Sequence, residues 1–167
     1  MIHNIILIDA SYSMKNKINN ILISINNLIL KNKNKDVYFT IAYFNNTIHF
    51  LIKFTYADYI VKPITFTDLC YFGGSTALYD SIYEILDEFS SCTNFHNNFI
   101  ILTDGDDNKS TKYNKEIIEN LFDKFIKSGL WTIIHYYIDD IESLFNISND
   151  TKINETDLDC IFSKLKI

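Results

Sequence analysis

The chain contains no arginine; all 15 of its basic residues are lysine. This excludes an arginine finger and the bidentate guanidinium contacts that commonly recognise phosphate and guanine. Together with a net charge of −6, it argues against nucleic acid as a partner. Cysteine is sparse too: Cys70, Cys92 and Cys160 are odd in number and lack CxxC spacing. They suit buried, reduced thiols better than a disulfide framework or a zinc site. No apolar run approaches the roughly 18 residues of a membrane span. Strand-like sequence begins almost at Met1, which leaves no room for a secretion signal. The expectation is a cytoplasmic protein with no membrane segment, in which N-x-[ST] triplets such as Asn45-Asn46-Thr47 stay unglycosylated.

What is present is globular. At 167 residues, 47% hydrophobic and 22% charged, the chain is expected to fold as a single domain over 1–167 with a sizeable core. Abundant Asn, Ile, Lys and Tyr reflect AT-rich coding rather than function.

Ile5-Ile6-Leu7-Ile8 is a continuous apolar run, the pattern of a central parallel strand covered on both faces. Ile18, Ile21, Leu22, Ile25, Leu28 and Ile29 then recur at helical spacing. Val37 to Phe44 and Thr47 to Phe54 read as strands joined by a tight Asn45-Asn46 hairpin, which makes the second antiparallel. A short segment around Ala57 to Val61 precedes Pro63, the only proline. Thr76 to Phe89 reads as a helix, Phe99 to Leu102 as a buried strand, and Ile117 to Phe125 as a helix that Gly129 ends. Trp131 to Ile138 is another buried strand. After Asp139 a helix to about Asn146, a short strand near Lys152 to Asn154 and a final helix from about Glu155 are expected. This alternation predicts a three-layer, doubly wound, Rossmann-like α/β fold whose mostly parallel sheet has one antiparallel edge strand.

Sites in such sheets form at the carboxyl ends of strands. Three loops there carry oxygen side chains. The first, after Ile5–Ile8, presents Asp9, Ser11 and Ser13 at alternate positions, which in an extended loop can point to one side. The second, "FGGSTALYD", offers Ser75 and Thr76 after a glycine pair that allows a sharp turn, with Thr76 a candidate N-cap. The third, "LTDGDDN", places Asp104 directly after a strand, with Gly105 permitting close backbone approach and Asp106 to Asn108 read as exposed or capping residues. An oxygen-only donor set without His or Cys suits a hard cation: Mg²⁺ or Mn²⁺, with Ca²⁺ also admissible. "DGDDN" is not an EF-hand loop, because Lys109 and Lys115 stand where Gly and Glu are required. His3, His49, His96 and His135 are scattered among different elements, and no Ser-His-Asp or Cys-His arrangement is present.

Taken together, the D-x-S-x-S pattern at Asp9, Ser11 and Ser13, the "GGSTALYD" loop with Thr76, and the "LTDGDDN" loop with Asp104 resemble the von Willebrand factor type A (vWA) domain family. The resemblance spans Met1 to about Asp140, and the departure from the family is a short C-terminus. It implies a metal-ion-dependent adhesion site (MIDAS). Ser11, Ser13 and Thr76 would be direct hydroxyl ligands, with Asp9 and Asp104 acting largely through waters. It further implies a non-enzymatic module that binds a Glu or Asp of a partner protein through the metal. Two alternatives stand beside this reading. One is a Mg²⁺-dependent phosphohydrolase of haloacid dehalogenase type, which would need a second Asp where Ser11 stands. The other is a metal-free scaffold.

Overall fold

The computed structural model describes residues 1–69, 73–105 and 107–138, and the backbone of 151–153. Cys70, Asp106, Cys160 and the helices expected after Asp139 and from Glu155 lie outside the described residues. Six strands, β1 (Ile2–Asp9), β2 (Val37–Phe44), β3 (Ile48–Tyr56), β4 (His96–Thr103), β5 (Trp131–Ile138) and β6 (Thr151–Ile153), form one sheet in the order β3-β2-β1-β4-β5-β6. All pairings are parallel except β2 with β3. Among the described residues three α-helices, α1 (Ile18–Lys31), α2 (Leu78–Phe89) and α3 (Lys115–Lys127), cover the sheet. The expected vWA-like α/β architecture is observed.

The continuous apolar strands explain the layering. Alternate residues of a strand face opposite sides. Ile6 and Ile8 of β1 pack with Ile18, Ile21, Leu22 and Ile25 of α1, whereas Ile5 and Leu7 pack with Leu78, Ile82 and Ile85 of α2 and Ile118 and Phe122 of α3. A polar run half-hidden in the sequence lies at the amino ends of the central strands. His3 pairs in register with Asn97 and Asn4 with Asn98. Their side chains bond across the strands, His3 Nδ1 with Asn97 Oδ1 at 3.0 Å and Asn98 Nδ2 to Asn4 Oδ1 at 2.9 Å. A one-residue slip would break both pairs, so they fix the register of β1 against β4.

Some local expectations are met and others corrected. The expected Asn45-Asn46 hairpin forms, closed by an Asx turn in which Asn45 Oδ1 accepts the N–H groups of Asn46 and Thr47. The only positive-φ glycine is Gly129, just after α3, as expected of a helix stop. Gly74 and Gly105 need no special conformation, and a Cβ at either would meet nothing within 4 Å. Cys92 is a free, partly exposed thiol rather than a buried one. Among the described residues no helix is long and apolar enough to cross a membrane.

Candidate metal centre

The sheet order reverses between β1 and β4, because the chain winds outward through β2 on one side and β5 on the other. Ligand crevices form at such a switch point, outside the carboxyl ends of the strands. There Ser11, Tyr12, Ser13, Gly74, Thr76, Asp104, Gly105 and Asn108 line an open cleft of about 320 Å³.

Asp9, the last residue of β1, lies beneath the cleft and is fully buried. Its Oδ1 accepts the Ser11 N–H at 2.7 Å and its Oδ2 accepts the Thr103 hydroxyl at 2.6 Å. The carboxylate thus ties the end of β1 to the end of β4. Burial raises the Asp9 carboxyl above its ordinary value; the bonds from Thr103 and Ser11 oppose the shift, and the charge of Asp104 adds to it.

Above Asp9, Ser11 Oγ lies 3.0 Å from Ser13 Oγ, and Ser13 Oγ donates to Asp104 Oδ1 at 2.8 Å. Ser11 occupies the N-cap of the short 3₁₀ turn Tyr12–Asn16, yet its side chain makes no cap bond. Its hydroxyl is turned to the cleft instead. Gly73 is zipped to this loop, its carbonyl accepting the Tyr12 N–H at 2.8 Å and its N–H donating to Ala10 O at 3.3 Å. Thr76 is not the N-cap of α2, as its sequence position suggested; Ala77 is. The first turn of α2 is capped from the third loop. Asp107 Oδ1 accepts the Tyr79 N–H at 3.3 Å, and Ser110 Oγ accepts that of Asp80 at 3.0 Å. Asp80 in return accepts the N–H groups of Thr111, Lys112 and Tyr113.

Of the five residues selected from the sequence, Ser11, Ser13, Thr76 and Asp104 line the cleft and Asp9 forms its floor. Three neighbours were not selected from the sequence. Thr103 reads as an ordinary β-branched strand residue. Asn108, read as exposed or capping, is exposed but lines the cleft; its Oδ1 accepts the Thr76 N–H at 2.8 Å and its own N–H donates to Thr76 O at 3.0 Å. Lys17 donates to Asp104 Oδ2 at 2.7 Å and to Ile138 O at 3.3 Å.

The donors suit a hard cation. Oxygens adjacent on a Mg²⁺ octahedron with bonds of about 2.1 Å are separated by about 3 Å, close to the Ser11–Ser13 spacing of 3.0 Å. Among the described residues no three His, Cys, Asp or Glu side chains gather to hold a metal. Among the described lining residues, Ser11, Tyr12, Ser13 and Thr76 carry hydroxyls and Asp104 a carboxylate.

The fold is vWA-like. Solved structures of similar shape include proximal thread matrix protein 1 from the mussel byssus, with a TM-score of 0.68 and 14% identity over 96% of this chain and 44% of that one. A form of that protein with a zinc-occupied MIDAS motif matches at 0.66 and 15% over 98% and 46%. A von Willebrand factor type A structure from Catenulispora acidiphila matches at 0.61 and 14% over 96% and 41%. The chain spans less than half the length of these proteins. No family model and no curated protein matches the sequence.

Proposed function

We propose that residues 1–167 form one divalent-cation-dependent protein-interaction domain, cytoplasmic and non-enzymatic. Ser11, Ser13 and Thr76 would supply hydroxyl ligands to Mg²⁺ or Mn²⁺, and Asp9 and Asp104 would act mainly through bound water. The observation that carries the reading is the meeting of Ser11, Ser13 and Asp104 through contacts of 3.0 and 2.8 Å at the switch point of the sheet. A zinc-occupied MIDAS motif in a structure of similar fold supports it.

A hydroxyl-rich shell leaves a bound cation much of its positive charge, so an incoming Glu or Asp of a partner protein would meet a strong, charge-assisted contact. Tyr12, 68% exposed beside the cleft, offers an aromatic anchor of the kind enriched at interfaces.

Cation binding to the native state raises its stability by mass action, by about 2.7 kcal/mol at a hundredfold excess over Kd. For a chain of this size that corresponds to roughly 5–10 °C in Tm. The expected result is a dose-dependent Mn²⁺ or Mg²⁺ shift in the parent that is absent in Ser13→Ala and Asp104→Ala. Partner capture should then be lost in EDTA. No shift in the parent, with both variants behaving identically, would identify a metal-free scaffold instead.

A further inference from the structure

We propose that Lys17 is a tethered counter-ion of the cleft. Its ammonium neutralises Asp104 in the cation-free protein and must leave that carboxylate when a divalent cation enters. This rests on the reading of the cleft as a cation site.

Lys17 sits between the 3₁₀ turn that carries Ser13 and the start of α1. Its Nζ lies 2.7 Å from Asp104 Oδ2, while Oδ1 of the same carboxylate is held by Ser13. The side chains of the pair are only 15% and 4% exposed, so solvent and salt screen them far less than a surface pair. A second bond to Ile138 O, at the end of β5, fixes the ammonium from another strand. Without it, the described residues of the cleft would gather two buried carboxylates, Asp9 and Asp104, with no lysine among the lining residues.

The same placement opposes an incoming metal. A divalent ion among Ser11, Ser13 and Asp104 would lie within a few ångströms of the ammonium, and like charges at that range repel strongly even at an effective dielectric constant of about 20. Moving Lys17 away relieves the repulsion and frees Asp104 Oδ2. Lysine suits this role, since its compact charge rides on a flexible four-carbon stem, whereas a guanidinium would clamp the carboxylate with two bonds. Lys17 thus lowers the cation affinity of the cleft and makes loading an exchange of one cation for another.

The test is Mn²⁺ titration by calorimetry of the parent, Lys17→Gln and Lys17→Arg, with folding checked by far-ultraviolet circular dichroism. Lys17→Gln is expected to bind Mn²⁺ at least about tenfold more tightly, the effect of removing a nearby like charge. It should also melt below the parent in EDTA, with the gap narrowing in saturating Mn²⁺. Lys17→Arg should bind no more tightly than the parent. A folded Lys17→Gln with unchanged or weaker affinity, or a Lys17→Arg that binds more tightly, overturns the role of Lys17 alone. Absence of Mn²⁺ binding in folded parent and Lys17→Gln overturns the cation site itself, and this proposal with it.

Discussion

Asp9→Asn is expected to lose the Mn²⁺ response while remaining about as stable as the parent, whereas Asp9→Ala loses both. The difference follows from where the two carboxylate oxygens point. Oδ1 takes the Ser11 N–H and Oδ2 the Thr103 hydroxyl, and no part of Asp9 is exposed. Asparagine keeps an acceptor for Ser11 and puts an amide nitrogen toward Thr103. The Thr103 hydroxyl can accept from it by turning its own proton to Gly105 O, 3.2 Å away. The hydrogen bonds survive, and the cost of burying a charge disappears. Alanine strands the buried Ser11 N–H, whereas Thr103 can still turn to Gly105 O, so a loss of about 1–3 kcal/mol is expected. Urea unfolding in EDTA measures the stabilities, and a Mn²⁺ melting series measures the response. An Asn variant as unstable as the Ala variant, or one with the full Mn²⁺ shift, would contradict this account of the floor.

Acid should destabilise the protein through a residue at the opposite pole. His3 is fully buried, packed edge-on against Phe54 at 4.9 Å and Phe89 at 5.0 Å. Its pKa is lowered from 6.5 to about 4, by burial, against an opposing effect of the Asn97 bond. The surrounding bonds define the tautomer. Asn97 Nδ2 donates to Cys92 O and Phe95 O, so Asn97 Oδ1 faces His3 and accepts from Nδ1. Thr40 Oγ1 accepts the Phe54 N–H and donates its own proton to His3 Nε2. A proton added at Nε2 would confront that hydroxyl proton.

Because the folded pKa lies below the unfolded one, the unfolded chain binds more protons between pH 6.5 and 4, and stability falls as pH falls through that window. The shift corresponds to about 3 kcal/mol lost by pH 4. Urea midpoints measured from pH 7 to 4 should show this slope in the parent and a much flatter one in His3→Gln. Parallel profiles would assign acid sensitivity to other groups.

Most of the fold could be read from local pattern. β5 occupies the span Trp131–Ile138 expected of it, and α1 carries the apolar face expected from Ile18 to Ile29, because burial on one or both faces dictates which positions must be apolar. β4 begins three residues before Phe99, at His96. Asn97 and Asn98 look like loop residues until their partners on β1, nearly a hundred positions away, are known. The cleft shows the same division. Asp9, Ser11 and Ser13 stood out by their alternate spacing, Thr76 by the glycine pair before it and Asp104 by following a strand, and the family resemblance joined them. Lys17 did not stand out, being one of 15 lysines at an ordinary helix start. Thr103 and Lys17 gain their roles only when β1, β4 and β5 are placed side by side, which is long-range information.

The way the third loop is fastened has a consequence for how the molecule breathes. The amides of Thr111, Lys112 and Tyr113 all donate to one half-buried carboxylate, Asp80, so a single side-chain rotation releases three of them together. The Ser11 amide is secured by Asp9 between the two innermost strands. In hydrogen–deuterium exchange the first group should exchange through brief local opening, and Ser11 only when the whole sheet comes apart. The far end of the third loop can therefore loosen repeatedly while the floor of the cleft holds its shape.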